Sequence, residues 1–306
     1  MKYESKEVYS GKGDRVDKYL SEEIFEDISR SKIQNLLKKG LILVNGEIVK
    51  KNQNINSGDK LTWNFETDEE INILPVDLGI ECIYEDDYIY IINKPRGIVV
   101  HPAESVKDPT VISDLIFRNV PLAPVSSQRP GVVHRIDRYT SGIVIFVKTI
   151  DAYERFVDMF KEKKLVKKYC ALCYNNFKNE EGIINMPIAR SLRDRKKMCV
   201  KAEGKEAITI YKEIERFDGF SLVDVNIRTG RTHQIRVHLA HVGHPVVGDD
   251  VYGPDKNGFG LVGQFLHAYY IAFKHPFTGE KMEFIQKMPE DLTNVLKELG
   301  YEKNFI

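Results

Sequence analysis

The chain has 306 residues, is 42% apolar and carries 45 Lys/Arg against 45 Asp/Glu. That apolar share supports a large packed domain with a smaller one beside it. The absence of any run of ~18 apolar residues, and of an apolar signal core at the start, excludes a membrane-spanning or secreted reading, so a cytoplasmic protein without membrane contact is expected. Four cysteines, Cys82, Cys170, Cys173 and Cys199, are too few and too scattered for a disulfide framework.

Net neutrality gives no global argument for a polyanionic partner, but the charge is unevenly distributed. Arg30, Lys32, Lys38, Lys39, Lys50 and Lys51 face the single acid Glu47 over residues 30–51. A second basic segment runs from Arg190 to Lys205. Each alone is more simply a solvated face than a binding site.

In chain order, Arg15 to Phe25 carries Val16, Tyr19, Leu20 and Ile24 at helical spacing. Ser29 is placed to cap a second helix whose inner face is Ile33, Leu36 and Leu37 and whose stop is Gly40. Then LILVNGEIV sets Asn45-Gly46 between two apolar runs, a strong hairpin signal, and Leu61-Thr62-Trp63 is a further strand. The acidic, Pro75-containing stretch 64–79 reads as a connector, which divides the chain into domains 1–75 and 76–306. In the second domain strands are predicted at 81–84, 88–92, 143–148, 167–174, 207–215, 220–228, 269–273 and 281–285. Helices are predicted at 109–119, 152–163, 231–242 and 290–299. Because strands and helices do not alternate strictly, the expected class is α+β with a mixed, mostly antiparallel sheet rather than a doubly wound one.

Three stretches could carry chemistry. In VVHRIDRYTSGIVIFVK, Asp137 lies on a loop before a buried strand, between Arg135 and Arg138, whose charge favours its ionised form and suits it to act as nucleophile or base. On local sequence alone, a turn aspartate in a surface ion pair is the simpler reading. His233, His238, His241 and His244 cluster in sequence, but Arg231 and Arg236 would place fixed positive charge beside a cation, so no metal is expected. In KKYCALCYN, Cys170 and Cys173 would face opposite sides of a strand, and read as packing. Tyr169, following Lys167 and Lys168, is the pairing of an aromatic with a cation that can stack a base beside a phosphate. There is no Gly-rich phosphate loop or dinucleotide fingerprint, and nothing calls for a cofactor.

The order of these stretches is more specific than any one of them. INKPRGIVVHPA, HRIDRYTSG, KKYCAL, GRTHQIRVHLAHVGHPVVGD and FLHAYYIAFKHP resemble the successive motifs of the RluA-type pseudouridine synthases that modify large-subunit ribosomal RNA. SRSKIQNLLKKGLILVNG resembles an S-four RNA-binding domain. The resemblance implies the pseudouridine synthase fold and cofactor-free isomerisation, with Asp137 as catalytic aspartate, Tyr169 as active-site tyrosine and Arg231 as the arginine paired with Asp137. His134, Arg135 and Arg138, with Arg30, Lys32, Lys38 and Lys39 of the first domain, would meet RNA. The implied partner is ribosomal RNA or an assembling large subunit, and the enzyme is expected to be a monomer. Two departures stand out, Tyr139 and the Gly263-Gln264-Phe265 stretch.

Breaking the glycosidic bond, turning the base and rejoining it through carbon five could use a carboxylate either to attack the anomeric carbon or to assist loss of a sugar proton. A glycosidase of the usual kind would need two carboxylates, and only one is marked here. The competing readings are an RNA-binding or ribosome-assembly protein without chemistry, and a metal-dependent hydrolase built on the histidines.

Overall fold

The computed structural model describes residues 2–25, 28, 30–66, 73–102, 108–126, 129–192, 194, 197–254 and 259–303. The chain forms two compact units, Met1–Asn72 and Ile73–Ile306. Among the described residues no helix is long and apolar enough to cross a membrane.

The first unit contains β1 (Lys2–Val8), β2 (Asp14–Arg15), α1 (Val16–Tyr19), α2 (Arg30–Lys38), β3 (Ile42–Val44), β4 (Asn54–Ile55) and β5 (Lys60–Glu66). Helix α1 widens into a π-helical turn over Leu20–Ile24, so the predicted first helix is not a regular one. The apolar spacing on α2 is used as expected, burying Ile33, Leu36 and Leu37. Its end is a two-bond cap in which Gly40 N–H donates to Leu37 O at 3.1 Å and Leu41 N–H to Leu36 O at 3.0 Å. Gly40 takes the left-handed φ of 70° that this cap requires. Ser29, expected to cap the other end, lies outside the described residues.

The predicted hairpin stops after its turn. Val44 and Glu47 bond reciprocally around Asn45-Gly46, but Ile48 then leaves the ladder and is 65% exposed. The Asn45 side chain accepts from Lys60 N–H at 2.8 Å and donates to Asp59 at 2.8 Å, which stitches the turn to the entry of β5. Strand β3 therefore pairs antiparallel with β5, as does β1, a strand not foreseen in the polar start of the chain. The connector is also shorter than expected. Residues 64–66 belong to β5, while Val76 N–H and Leu78 N–H bond to Ser113 and Asp114 of the second unit.

The second unit contains β6 (Glu81–Glu85), β7 (Ile89–Lys94), α3 (Val111–Phe117), β8 (Ser141–Val147), α4 (Ile150–Lys161), β9 (Val166–Tyr174), β10 (Glu181–Asn185), β11 (Ile188–Arg190), β12 (Met198–Val200), β13 (Ile208–Phe217), β14 (Phe220–Ile227), α5 (Gln234–His241), β15 (Leu266–Lys274), β16 (Lys281–Ile285) and α6 (Glu290–Glu298). Nine strands form one sheet in the order β10-β13-β14-β9-β15-β8-β7-β6, with β16 also on β15. Among the described residues only β15 and β8 pair in parallel, so the class is α+β with a mostly antiparallel sheet. Strand β8 is buried at all seven positions, which is why its sequence is continuously apolar rather than alternating. Its parallel contact brings Gly142, at φ 111°, so close to Ala268 that any Cβ would overlap the Ala268 carbonyl. Cys170 and Cys173 are buried, unbridged residues of β9. The small β11-β12 pair was not anticipated and carries part of the basic 190–205 segment.

The first unit packs around its own apolar core and contains one buried ion cluster. Asp17 is fully buried on α1 and accepts from Arg15 Nη2 and Arg30 Nε at 3.0 Å and from Gln34 Nε2 at 2.6 Å. Burial alone would raise its pKa, but the hydrogen bonds from Arg30, Arg15 and Gln34 outweigh burial and hold it well below the ordinary carboxylate range. Arg30, expected at an RNA surface, thus has Nε and Nη2 committed to this buried carboxylate. We predict that Asp17→Asn lowers the stability of the first unit by roughly 1–3 kcal/mol, the scale of hydrogen bonds to a charged group. Because its folded-state pKa is depressed, the wild-type contribution is present at neutral pH and is lost only as pH falls through that low value. The sole tryptophan, Trp63, is buried in this unit, so urea unfolding followed by its fluorescence isolates the effect. An unchanged midpoint at pH 7 would contradict the assignment.

Candidate active site

Asp137 lies on the loop entering β8, in a cleft of about 730 Å³. The loop is held from behind by buried donors. Lys94, fully buried at the end of β7, donates from Nζ to Pro95 O, Ile98 O and Arg138 O at 2.7, 2.8 and 3.0 Å. Burial pushes its amine down to about 7, partly opposed by Asp137. Arg96 donates to Tyr139 O at 2.7 Å and to Gln264 O and Val262 O at 2.6 Å, and pairs with Asp291 at 2.6 Å. Ser141 Oγ meets His267 Nδ1 at 2.9 Å, and the other ring nitrogen meets Gln286 O at 3.1 Å. Together these contacts fix the backbone on both sides of Asp137.

The carboxylate is oriented by Arg236, not Arg231. Arg236 Nη1 donates to Asp137 Oδ2 at 3.0 Å. Its remaining edge is bidentate on Asp249, Nε to Oδ2 and Nη2 to Oδ1, both at 2.7 Å. Asp249 is fully buried and also accepts from Val251 and Tyr252 N–H. Burial works against the Arg236 charge, but Asp249 and Asp137 overcome it and raise its pKa. Arg231 precedes α5, is exposed, and donates from Nε to the Glu206 carbonyl at 2.9 Å. The five-residue separation explains the correction, since Arg231 lies in the turn and only Arg236 is carried inward by the helix. A signal was present in the sequence. An arginine within the run Ile235-Arg236-Val237 must be buried with the helix, and a buried arginine needs a carboxylate.

Tyr169, on β9, lines the same cleft and is only 7% exposed. Burial, and then the charge of Asp137, raise its phenol pKa, so it is protonated at neutral pH. The cleft walls also carry Arg129, Arg135, Arg228, Arg231, Lys161, Lys163 and Lys167, against the acids Asp137 and Glu206. Glu206 is paired with Lys163 at 2.9 Å, so Asp137 is the carboxylate directed at the cleft. Lys167 is almost buried, and burial followed by Arg231 lowers its pKa to about 8.

The other expected contacts divide. Arg135 stands at the cleft beside His101, Nη1 to Nε2 at 3.2 Å. Arg138 instead donates to Gly97 O at 2.9 Å and pairs with Asp108, bracing the 95–98 turn. His134 accepts from Ile145 N–H at 2.9 Å, and burial lowers its pKa to about 3. It braces β8 through Nε2 as a neutral ring at the cleft wall. Lys38 and Lys39 are exposed at the end of α2, and Lys32 is half-buried.

The histidines of the second stretch disperse. His238 is buried between Thr209 Oγ1 and Met186 O at 2.9 and 2.8 Å, and His244 stacks on Phe177 at 3.8 Å. Among the described residues no three His, Cys, Asp or Glu side chains gather as metal ligands. The two sequence departures turn out to be one contact. The Tyr139 ring lies against Gly263, where any Cβ would overlap it, and Gln264 Nε2 donates to Thr140 Oγ1 at 3.0 Å. Tyr139 thus packs the loop onto the 262–264 backbone.

Residues 88–241 match the model of the RNA pseudouridylate synthase family, and residues 14–61 match the S4 domain. A Bacillus subtilis protein named uncharacterized RNA pseudouridine synthase YlyB is 39% identical over 94% of this chain and 95% of its own. Ribosomal large subunit pseudouridine synthase D of Buchnera aphidicola is 38% identical over 94% of both chains. The solved structure of human RNA pseudouridylate synthase domain containing 4 shares the fold, with a TM-score of 0.57 at 23% identity over 72% of this chain and 94% of that one.

The geometry separates the two arginines experimentally. Arg236→Ala should lower the single-turnover rate of pseudouridine formation by about 100-fold or more, the cost of removing a directed donor at a reacting centre. Arg236→Lys should fare little better, because a lysine cannot span Asp249 and Asp137 together. Arg231→Ala should stay within about 10-fold of wild type, as expected for an exposed phosphate-facing cation. The reverse ranking would overturn the pairing.

Proposed function

The chain belongs to the RNA pseudouridylate synthase family, and on that premise we propose that it isomerises uridines of large-subunit ribosomal RNA with Asp137 as the catalytic carboxylate. The activity is that of an isomerase acting on RNA. The observation that supports the assignment of Asp137 is its geometry: it lines a basic cleft that also holds Tyr169, with one oxygen bound to Arg236 and the other left without a hydrogen bond from it. The ribosomal substrate is supported by the name of the Buchnera relative and by the S4 domain.

The chemistry follows from that placement. The N1–C1′ bond breaks with its electron pair leaving on the base, the base turns, and a C5–C1′ bond forms as the C5 proton departs and N1 gains one. Composition and oxidation state are unchanged, so no redox partner is required. Asp137 acts at the sugar, either by attacking C1′ or by taking a sugar proton, and Arg236 holds the carboxylate aimed in both cases. Tyr169 enters the reaction protonated, so its ring stacks on the freed base and its hydroxyl acts as a donor. Removal of the C5 proton by the phenol would first require the phenol to be deprotonated. A two-carboxylate hydrolysis is disfavoured because Glu206 is engaged by Lys163.

A cleft of this size accepts one extruded nucleotide. Extrusion costs a few kcal/mol in unstacking, and the cationic walls offset that through phosphate contacts. Residues 1–75 would add affinity as an RNA-binding domain, and residues 76–306 would hold the chemistry.

Asp137→Asn should abolish pseudouridine formation, read by base-resolved mapping of ribosomal RNA, while RNA affinity and thermal stability persist. Full activity in that variant would remove Asp137 from the mechanism. Lys38→Glu combined with Lys39→Glu should weaken RNA binding and reduce the slope of log affinity against log salt by about one to two, because counterion release scales with phosphate contacts. An identical slope would make that face a solvated surface only.

A further inference from the structure

Asp137 has two carboxylate oxygens, and only Oδ2 is taken by Arg236. Facing the other, Oδ1, is Nε2 of His233 at 3.9 Å, too far for a hydrogen bond but within one small side-chain adjustment of one. Three further observations single out this histidine. Its backbone is left-handed, φ 56° and ψ 20°, a conformation costly for a residue other than glycine. It occupies the N-cap of α5 yet makes no capping bond with its side chain, so capping does not explain its presence. Its ring is instead fixed from the far side, Nδ1 lying 2.9 Å from Tyr252 Oη.

Tyr252 provides a partner that suits the hydrogen on Nε2. Its hydroxyl accepts from Met198 N–H at 2.8 Å, and by donating its own proton to His233 Nδ1 at 2.9 Å it fills both of its roles. Nδ1 is then the acceptor, and Nε2 carries the hydrogen that faces Asp137. Burial lowers the pKa of the imidazole, with Arg236 and Arg135 acting in the same direction and Asp137 and Asp249 against, so the donor is neutral. A neutral N–H can orient a carboxylate oxygen without binding it as tightly as a second cation would.

We propose that His233 is a positioning residue for the reaction: through Nε2–H, in the tautomer that suits Tyr252, it steadies Oδ1 of Asp137 towards the sugar when RNA fills the cleft. The two oxygens then have unequal partners. Oδ2 is fixed by a charge, and Oδ1 is guided but left reactive. This rests on the reading of Asp137 as the reacting carboxylate.

The test is steady-state and single-turnover kinetics of the full-length protein on an RNA substrate, with thermal unfolding of each variant. His233→Ala should lower kcat about 10- to 100-fold with KM within about twofold, the signature of misplacement at the reacting centre. His233→Gln, which restores a side-chain N–H at comparable reach, should recover most of that loss. Tyr252→Phe keeps the ring over Arg236, 5.3 Å from guanidinium to centroid, and removes only the hydroxyl, so it should lower kcat several-fold with KM unchanged. A kcat within twofold of wild type in His233→Ala, or a rise in KM alone, would overturn the proposal. Should His233→Ala fail to fold, Tyr252→Phe decides, and an unaltered kcat there refutes it. Asp137→Asn run in parallel separates the two levels: activity in that variant sinks the underlying assignment, whereas an inactive Asp137→Asn beside a fully active His233→Ala sinks only the role of His233.

Discussion

The second unit's chemistry depends on one guanidinium group shared between two carboxylates. Arg236 is 5% exposed, Asp249 is fully buried, and Asp137 is 18% exposed. Removing such charges from water costs on the order of several kcal/mol per ion, so the cluster persists only because nearly every donor and acceptor finds a partner. Arg236 is suited to this because its donors lie in a rigid plane, two on Asp249 and one on Asp137. Asp249 therefore determines the direction in which Arg236 points, and Arg236 determines which oxygen of Asp137 is left available. The gradient of exposure from Asp249 to Asp137 runs from structure to chemistry along a single chain of hydrogen bonds.

That chain would be of no use on a mobile loop, and the protein anchors the loop with buried cations that bind chiefly backbone carbonyls. Lys94 is held by three carbonyls, and Arg96 binds four, from Tyr139, Val262, Gly263 and Gln264, as well as Asp291. Lys94 ties the 95–98 turn to the Asp137 loop, and Arg96 adds the 262–264 segment that leads into β15. Gly142 and Gly263 allow the same convergence by permitting backbone to approach where a side chain would collide. Tyr139 fits this frame as a plate between the loop and Gly263, which accounts for both sequence departures without assigning either to the substrate.

Much of this was legible in the sequence where a period or a breaker carried the signal. The apolar run Ile143 to Val147 read as a buried strand, and the stretch after Ser29 read as a helix closed by Gly40, because burial and left-handed geometry leave local marks. What failed was long-range. Nothing around Arg30 announces that Asp17 lies beneath it, and nothing in LILVNGEIV shows that the turn will be tied to Asp59 and Lys60 instead of zipping into a hairpin. The interchange of Arg231 and Arg236 is of the same kind. Both stand in one basic stretch, and only the start of α5 at Gln234 decides which of them turns inward.

The same principle reconciles a formally neutral chain with an RNA substrate. A large share of its charge is consumed internally, as in Arg15 and Arg30 on Asp17, Arg118 on Asp114, Arg138 on Asp108 and Arg236 on Asp249 and Asp137. Such pairs cancel in the net count. The cleft, by contrast, keeps cations on its walls, with one acid paired with Lys163 and the other with Arg236. Because RNA affinity depends on the phosphates met at the surface and not on net charge, the zero total is compatible with a strongly cationic site. Among the described residues that line the cleft, Asp137 and Glu206 are the acids, and each is paired with a cation. Arg236 is what makes the approach of RNA to Asp137 tolerable, compensating the carboxylate until the base has left its stack.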